Sequence, residues 1–317
     1  MKIYRLIKIP IVLTLIVLII ITLVNCGGGG KISPTPPEPP SPPTIEEQIR
    51  KIAEETTVLI GGSSDSGSGV IVASKGNTYY VLTAKHVVGI EPGESEYPYQ
   101  VQSKTYAKPL RVASAKDYKE KVKKFKDNVD LAIIEFEAEA GQKFQVAQMA
   151  DSLYKGMSVY ASGWTSCLPL DKKQKRFHFT VGKICKIEGN AENGYNVRYT
   201  NNIVKGLSGG PIFDSMGRVV AIQAALVDDK GKEFDRQACE SIPKNPNNDF
   251  SDARGVSIKQ NLSELKSKLP SETELNLQKS ISRQADSKDD TSCRTLPTYC
   301  PPILPPGQRC QTKPVSE

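Results

Sequence analysis

Lys205-Gly206-Leu207-Ser208-Gly209-Gly210-Pro211 sets glycines on both sides of a serine. Glycine accepts backbone torsions that other residues resist, so successive N–H groups can converge on one point beside the serine hydroxyl. One turn would then supply a nucleophile and a site for a developing oxyanion, although the same letters also describe a merely flexible turn. Company decides between the two. Tyr79-Tyr80-Val81-Leu82-Thr83-Ala84 reads as a strand ending in small residues, and it delivers His86 to the rim of a β core. The chain has only one other histidine, His178, which alternates with Phe177 and Phe179 and reads as a surface or pocket-wall residue. Asp130 stands directly ahead of Leu131-Ala132-Ile133-Ile134. A carboxylate at the mouth of a buried strand is rigid and partly desolvated, as orienting an imidazole requires, though an ordinary strand-initiating aspartate looks the same.

Outward from these points the β pattern continues. Short runs at Val70–Val72, Thr78–Leu82, Leu131–Phe136, Ser158–Ala161, Phe177–Ile187, Tyr195–Tyr199 and Arg218–Leu226 are separated by turn clusters such as Lys75-Gly76-Asn77 and Glu192-Asn193-Gly194. Many short strands punctuated in this way predict an all-β barrel or sandwich. Helical spacing appears twice. Ile45, Ile49, Ile52 and Ala53 mark a docking helix over 45–56 with Thr44 as its cap, and Ile258, Leu262, Leu265 and Leu269 mark a closing helix. The lysine-rich stretch Lys116 to Lys126 reads as a solvated loop, with contact to an anionic lipid or wall polymer as the sharper alternative.

Of the 317 residues, 38% are hydrophobic and 24% charged, which is enough apolar material for one domain with tails and too much for a disordered chain. The net charge of +7 is spread without a basic stripe interleaved with aromatics, so nucleic acid is not an expected partner. Lys2, Arg5 and Lys8 precede an uncharged apolar run of about 16 residues, Ile9 to Val24. This is the layout of an export signal, short of the roughly 20 residues of a spanning helix. Leu23-Val24-Asn25-Cys26 resembles a bacterial lipobox, departing from it at Asn25; the resemblance makes Cys26 the lipid anchor, with an uncleaved signal anchor as the rival reading. Either way the body lies outside the cytoplasm, held at the membrane. The Gly/Pro-rich stretch that follows, including Pro34-Thr35-Pro36-Pro37, is an extended spacer. Six cysteines besides Cys26 suggest up to three disulfides in an exported chain, with Cys167 and Cys185 one candidate pair. No C-x-x-C pair points to a metal, and none is expected.

Thr83-Ala84-Lys85-His86, Asp130-Leu131-Ala132 and Gly206-Leu207-Ser208-Gly209-Gly210-Pro211 follow one another in the order His, Asp, Ser. Together they resemble the trypsin/chymotrypsin superfamily in its exported bacterial form, over about Thr57 to Leu269, and Gly67-Ser68-Gly69-Val70 resembles the segment that opens the first barrel of those enzymes. The resemblance implies two antiparallel six-stranded β-barrels with the site in the cleft between them, and a serine endopeptidase that needs no cofactor and acts on proteins or peptides. It makes Ser208 the nucleophile, His86 the base and then the acid, Asp130 the residue that holds His86, and the N–H groups of Gly206 and Ser208 the oxyanion hole. Its substrate-binding positions fall on Asn202, Gln223 and Ala225. Asn202 argues against a preference for Arg or Lys, and Ala225 suggests a shallow pocket for small or medium uncharged side chains. Leu207 stands where zymogen-activated members carry an aspartate, so the serine loop is expected to be ordered by local packing rather than by a new N-terminal amine.

The expected domains are an export signal over 1–25, a linker over 26–44, the peptidase domain over 45–270 and a Cys/Pro-rich tail over 271–317. Two rivals are a non-catalytic surface lipoprotein that uses the barrels as a binding module, and a serine esterase. The esterase is disfavoured by the chain order, which there runs Ser, Asp, His around Gly-x-Ser-x-Gly. Radiolabelled palmitate fed to expressing cells is expected to label the protein and to leave Cys26→Ser unlabelled; equal labelling of both would remove Cys26 as the anchor.

Overall fold

The chain divides at Pro42–Pro43, and the fold is that of the second unit, Pro43–Glu317. The computed structural model describes residues 41–61, 66–93, 98–106, 108–126, 128–165, 175–226, 253–271, 273 and 275–278. The signal segment, Cys26, nearly all of the spacer, most of the tail and every cysteine but Cys185 lie outside the described residues.

Helix α1 (Ile45–Thr56) starts at a capping box in which the Thr44 hydroxyl accepts from the Glu47 N–H and the Glu47 carboxylate accepts from the Thr44 N–H. It docks through Ile49 and Ala53, whereas Ile45, read above as part of the apolar stripe, is 57% exposed because it lies in the first turn, beyond the edge of the core.

The first barrel holds β1 (Thr57–Gly61), β2 (Ser66–Lys75), β3 (Thr78–Thr83), the short helix α2 (Lys85–Val88), β4 (Tyr99–Gln102), β5 (Leu110–Ala113), the short helix α3 (Tyr118–Lys121), β6 (Val122–Lys124) and β7 (Ala132–Glu137). Its seven strands run in the order β5-β4-β1-β2-β3-β7-β6, and β5 comes round against β7. The interior is filled by alternate residues, among them Val58, Ile60, Ile71, Val81, Val101, Ile134 and Phe136. Lys116 to Lys126 is not the expected loop. It forms α3 and the edge strand β6, where Lys121 and Lys123 meet Glu135 at 2.9 and 3.7 Å, since pairing with β7 satisfies the backbone while the lysine heads stay at the surface.

The second barrel holds β8 (Met149–Ala150), β9 (Ser158–Thr165), β10 (Arg176–Ile187), a 3₁₀ turn at Glu192–Gly194, β11 (Val197–Tyr199), β12 (Pro211–Phe213), β13 (Val219–Leu226), β14 (Ala253–Ser257), helix α4 (Ile258–Lys268) and β15 (Leu277–Gln278). The sheet order is β12-β9-β10-β11-β14-β13-β8-β15, and pairing of β12 with β13 closes it. Six antiparallel strands therefore make the closed barrel, as the resemblance implies. The sheets carry seven and eight strands because β6 extends the first, while in the second β8 pairs in parallel with β13 and β15 in parallel with β8. Val159, Ala161, Ile184, Val197 and Ile212 fill its interior.

A third apolar core joins the two barrels. Val70, Val72, Leu82 and Ile133 of the first pack in one cluster with Tyr160, Phe179, Phe213 and Ile222 of the second, together with Ile49 of α1 and Ile258 and Leu265 of α4. Strands buried on both faces are what make the runs Val70–Val72 and Leu131–Ile134 continuously apolar.

The β12–β13 turn rests on a buried ion pair. Asp214 is 1% exposed; its Oδ1 accepts the N–H groups of Met216 and Arg218, and its Oδ2 meets Arg218 Nε at 2.7 Å and Nη2 at 2.5 Å. Removing one partner strands the other charge in the protein. Arg218→Ala is expected to lower the unfolding free energy by about 3–5 kcal/mol in urea titration; a loss near zero would show that the pair contributes little.

Candidate active site

His86 lies in α2, two residues past the bend at Ala84 that ends β3, so strand geometry sets its position. Its main-chain N–H donates to Asp130 Oδ1 at 2.9 Å, and its Nδ1 meets Asp130 Oδ2 at 2.7 Å. Asp130 is 5% exposed. The carboxylate is tolerated there because Tyr195 Oη also donates to Oδ2, at 2.9 Å. Burial pushes the Asp130 carboxyl up, but the hydrogen bonds and charge of His86 and the bond from Tyr195 outweigh it, and the group ends below its ordinary value. A depressed carboxylate stabilises the fold fully above the unfolded-chain value of about 3.9, and that contribution is lost as pH falls through the lower folded-state value.

The serine loop sits opposite. Gly206 has φ +100°, and a Cβ there would lie 2.4 Å from the Trp164 carbonyl oxygen; Gly209 has φ +83°, and a Cβ there would lie 2.1 Å from both the Ser68 carbonyl and Thr83 Oγ1. Both positions therefore demand glycine. Between them Leu207 is fully buried in the interior of the second barrel, which is the local packing expected to order the loop. The N–H groups of Leu207, Gly209 and Gly210 donate to the carbonyls of Val204, Gln223 and Leu207, at 3.2, 2.7 and 2.9 Å. Among the described residues, those of Gly206 and Ser208 donate to none.

Ser68 of β2 binds this loop to the first barrel. Its N–H donates to the Ser208 carbonyl at 2.7 Å and its hydroxyl to the Gly206 carbonyl at 2.8 Å, while the Trp164 N–H donates to the Ser68 hydroxyl at 2.8 Å. Thr83 Oγ1 donates to the Ser68 carbonyl at 2.7 Å. A Cβ on neighbouring Gly67 would touch both the Val87 side chain and the Ser208 carbonyl within 3 Å, so the segment carrying His86 and the segment carrying Ser208 meet on β2. The Ser208 hydroxyl itself points to the Ala224 carbonyl at 3.5 Å, and His86 Nε2 is buried without a hydrogen-bond partner among the described residues. The structure thus brings His86 and Asp130 into direct contact and sets the Ser208 carbonyl against Ser68 and Gly67, beside Val87, with no Ser208–His86 hydrogen bond among the described residues.

The substrate-binding candidates are placed differently from one another. Asn202 is exposed and its main chain hydrogen-bonds His178, whose imidazole is pushed below its usual range by burial, with a smaller push from Arg50 and the Asn202 bond opposing. Gln223 and Ala225 are buried on β13. Gln223 grips the serine loop with its main chain, accepting from the Gly209 N–H at 2.7 Å and donating to the Gly210 carbonyl at 2.8 Å. Sequence reading missed two contributors. Ser68 had a signal, the Gly67-Ser68-Gly69-Val70 stretch, whose resemblance to the opening of a first barrel carries no sign of a tie to the serine loop. Tyr195 had none, since an aromatic residue after an Asn-Gly turn reads as the start of a strand. Ser68→Ala leaves a buried N–H and a buried carbonyl unpaired, and is expected to lower stability by about 1–3 kcal/mol in urea unfolding; an unchanged midpoint would mean that the hydroxyl bonds are replaceable.

Residues 67–222 match the family of trypsin-like peptidase domains. Among solved structures, the HtrA-type protease AlgW with a tripeptide is similar at 16% identity and TM-score 0.50, over 71% of this chain and 63% of that one. Rv3671c from M. tuberculosis H37Rv, in an inactive form, is similar at 17% identity and TM-score 0.46, over 74% of this chain and 98% of that one. No curated protein sequence matches. At these identities the AlgW likeness bears on the fold, and the fold agrees with the family match. The two-barrel part of the chain carries a trypsin-like peptidase domain over residues 67–222, and its fold is that of the trypsin/chymotrypsin-like serine peptidases.

Proposed function

We propose that the chain is a serine endopeptidase that works through Ser208, His86 and Asp130 and is held outside the cytoplasm by its N-terminus. The observation that carries this reading is the bond from His86 Nδ1 to a buried Asp130, on an element that meets the Ser208 segment across Gly67. Asp130, an acceptor only when ionised, keeps the proton of neutral His86 on Nδ1 and leaves Nε2 as the base. In this reading the Ser208 hydroxyl leaves the Ala224 carbonyl and donates to Nε2 when substrate is bound, since such hydrogen bonds often tighten only then.

Attack by the hydroxyl oxygen on a peptide carbonyl transfers its proton to Nε2 and puts negative charge on the carbonyl oxygen. The N–H groups of Gly206 and Ser208, uncommitted to any carbonyl among the described residues, are the donors proposed for that charge, each worth roughly 3–4 kcal/mol in comparable sites. Imidazolium then protonates the leaving amine as the C–N bond breaks, and water, deprotonated by the same Nε2, hydrolyses the acyl-serine. The reading extends to specificity. Asn202 carries no charge to pair with Arg or Lys, and Gln223 and Ala225 stand on the strand that borders the serine loop, so small or medium uncharged side chains are the proposed preference.

Two features support an exported, tethered protein. Cys185 is disulfide-bonded, a state that suits oxidising compartments, and its partner lies outside the described residues. The basic-then-apolar N-terminus with Cys26 has the composition of an export signal with a lipid site.

A fluorophosphonate probe is expected to label the folded wild type, to leave Ser208→Ala unlabelled, and to label His86→Ala at least about a thousandfold more slowly. Absence of labelling in a folded wild type would favour the peptide-binding module without catalysis.

A further inference from the structure

Tyr195 comes from the turn between β10 and β11 in the second barrel, while Asp130 stands at the head of β7 in the first. The two residues are 7% and 5% exposed, and the phenol oxygen lies 2.9 Å from Asp130 Oδ2, the oxygen that His86 Nδ1 meets at 2.7 Å. An ionised carboxylate has no proton to give, so Tyr195 is the donor. The turn that presents it is clamped to the same aspartate by a second bond, from the Asp130 N–H to the Asn193 carbonyl at 2.9 Å. Asn193 holds φ 54° and Gly194 φ 73°, both in the left-handed region, and the Tyr195 N–H closes the turn on the Glu192 carbonyl at 3.0 Å. A closed Asn-Gly turn reaching from one barrel to the other fixes where the hydroxyl points.

We propose that Tyr195 is a positioning residue for the reaction: its hydroxyl fills the second lone pair of Asp130 Oδ2, so that the carboxylate cannot rotate away from His86 Nδ1 and stays ionised while buried. This rests on the reading of Asp130 and His86 given above. Oδ1 is occupied by the His86 N–H, and Oδ2 has two acceptor sites. With one of them empty the carboxylate keeps two donors instead of three and can tilt about its Cβ–Cγ bond, which bends the bond to Nδ1. Among the described residues, the titratable groups acting on Asp130 are His86 and Tyr195. The tyrosine ring packs in the core between the barrels, and phenylalanine keeps that packing while deleting the donor.

In the full chain, Tyr195→Phe is expected to lower kcat/KM and the fluorophosphonate labelling rate about tenfold with KM little changed. The acid limb of both profiles, which reports the coupled Asp130–His86 pair, moves to higher pH, because a carboxylate that loses a donor binds its proton more tightly. In an Asp130→Asn background the same substitution is expected to add no further slowing, since Tyr195 acts through the carboxylate. A fluorinated tyrosine at position 195 alone, whose hydroxyl is a stronger donor of the same shape, moves the acid limb the opposite way. An unmoved acid limb in both variants, or a full additional slowing in Asp130→Asn, overturns the proposal. The peptidase reading fails separately, if the folded wild type does not label. In that event the acid-unfolding midpoint carries the test. It rises in Tyr195→Phe and falls with the fluorinated residue if Tyr195 holds Asp130 ionised, and identical midpoints overturn it.

Discussion

Ser68 is hydrogen-bonded to the serine loop by its main chain and its hydroxyl at once, and the geometry between the barrels depends on that attachment. Its N–H holds the Ser208 carbonyl, its hydroxyl links the Gly206 carbonyl to the Trp164 N–H, and its own carbonyl takes the Thr83 hydroxyl, one strand residue from the bend that leads to His86. A residue of the first barrel is thereby the shared support of both the histidine segment and the serine segment. The apolar core between the barrels supplies the free energy that presses the two together, but it is non-directional. The Ser68 bonds convert that pressure into a defined spacing, because Ser68, Thr83, Trp164 and Gly206 are buried and their donors and acceptors would be costly to leave unpaired.

Asp130 shows the same division of labour in electrostatic form. Desolvation is the largest influence on it and works against the charged state, so three donors have to be brought to two oxygens before an ionised carboxylate is stable at that depth. Two of the donors belong to His86, the third arrives from the opposite barrel, and the aspartate's own N–H is held by the same turn. Barrel docking and the ionisation of Asp130 are consequently linked. The loop around Ser208 follows another local rule, in which Gly206 and Gly209 take positive φ, the N–H groups of Gly206 and Ser208 donate to no carbonyl among the described residues, and Leu207 is sunk into the second barrel.

Strands with strong period-two or continuous apolar patterns were legible, as Thr78–Thr83, Ala132–Glu137, Arg176–Ile187 and Val219–Leu226 show. The ones that escaped are short or borrow their stability from a neighbour. Leu110–Ala113 and Pro211–Phe213 have three or four residues, too few for a period, and Val122–Lys124 is a strand only because β7 offers it a partner. Ile45 matched the helical stripe yet faces water, since periodicity identifies a face without saying how far the core beneath it extends. At the site, His86, Asp130 and Ser208 stood out by residue type beside characteristic strand ends and glycines. Ser68 and Tyr195 did not, because a serine between glycines and a tyrosine after a turn are common in any β protein.

What the sequence by itself determined is local: which segments pair as strands, where glycine is obligatory, which residues carry a hydroxyl, an imidazole and a carboxylate, and that the N-terminus has the composition of an export signal. Tertiary structure alone decided that Asp130 takes a third donor from Tyr195, that Ser68 supports both halves of the site, that Gln223 grips the serine loop with its main chain, and that the Ser208 hydroxyl rests on Ala224 rather than on His86. The reason is that propensity and periodicity act over a few residues, whereas these contacts join positions far apart in the chain. Their existence depends on strand register and on how two closed barrels share one core, which no short stretch of sequence encodes.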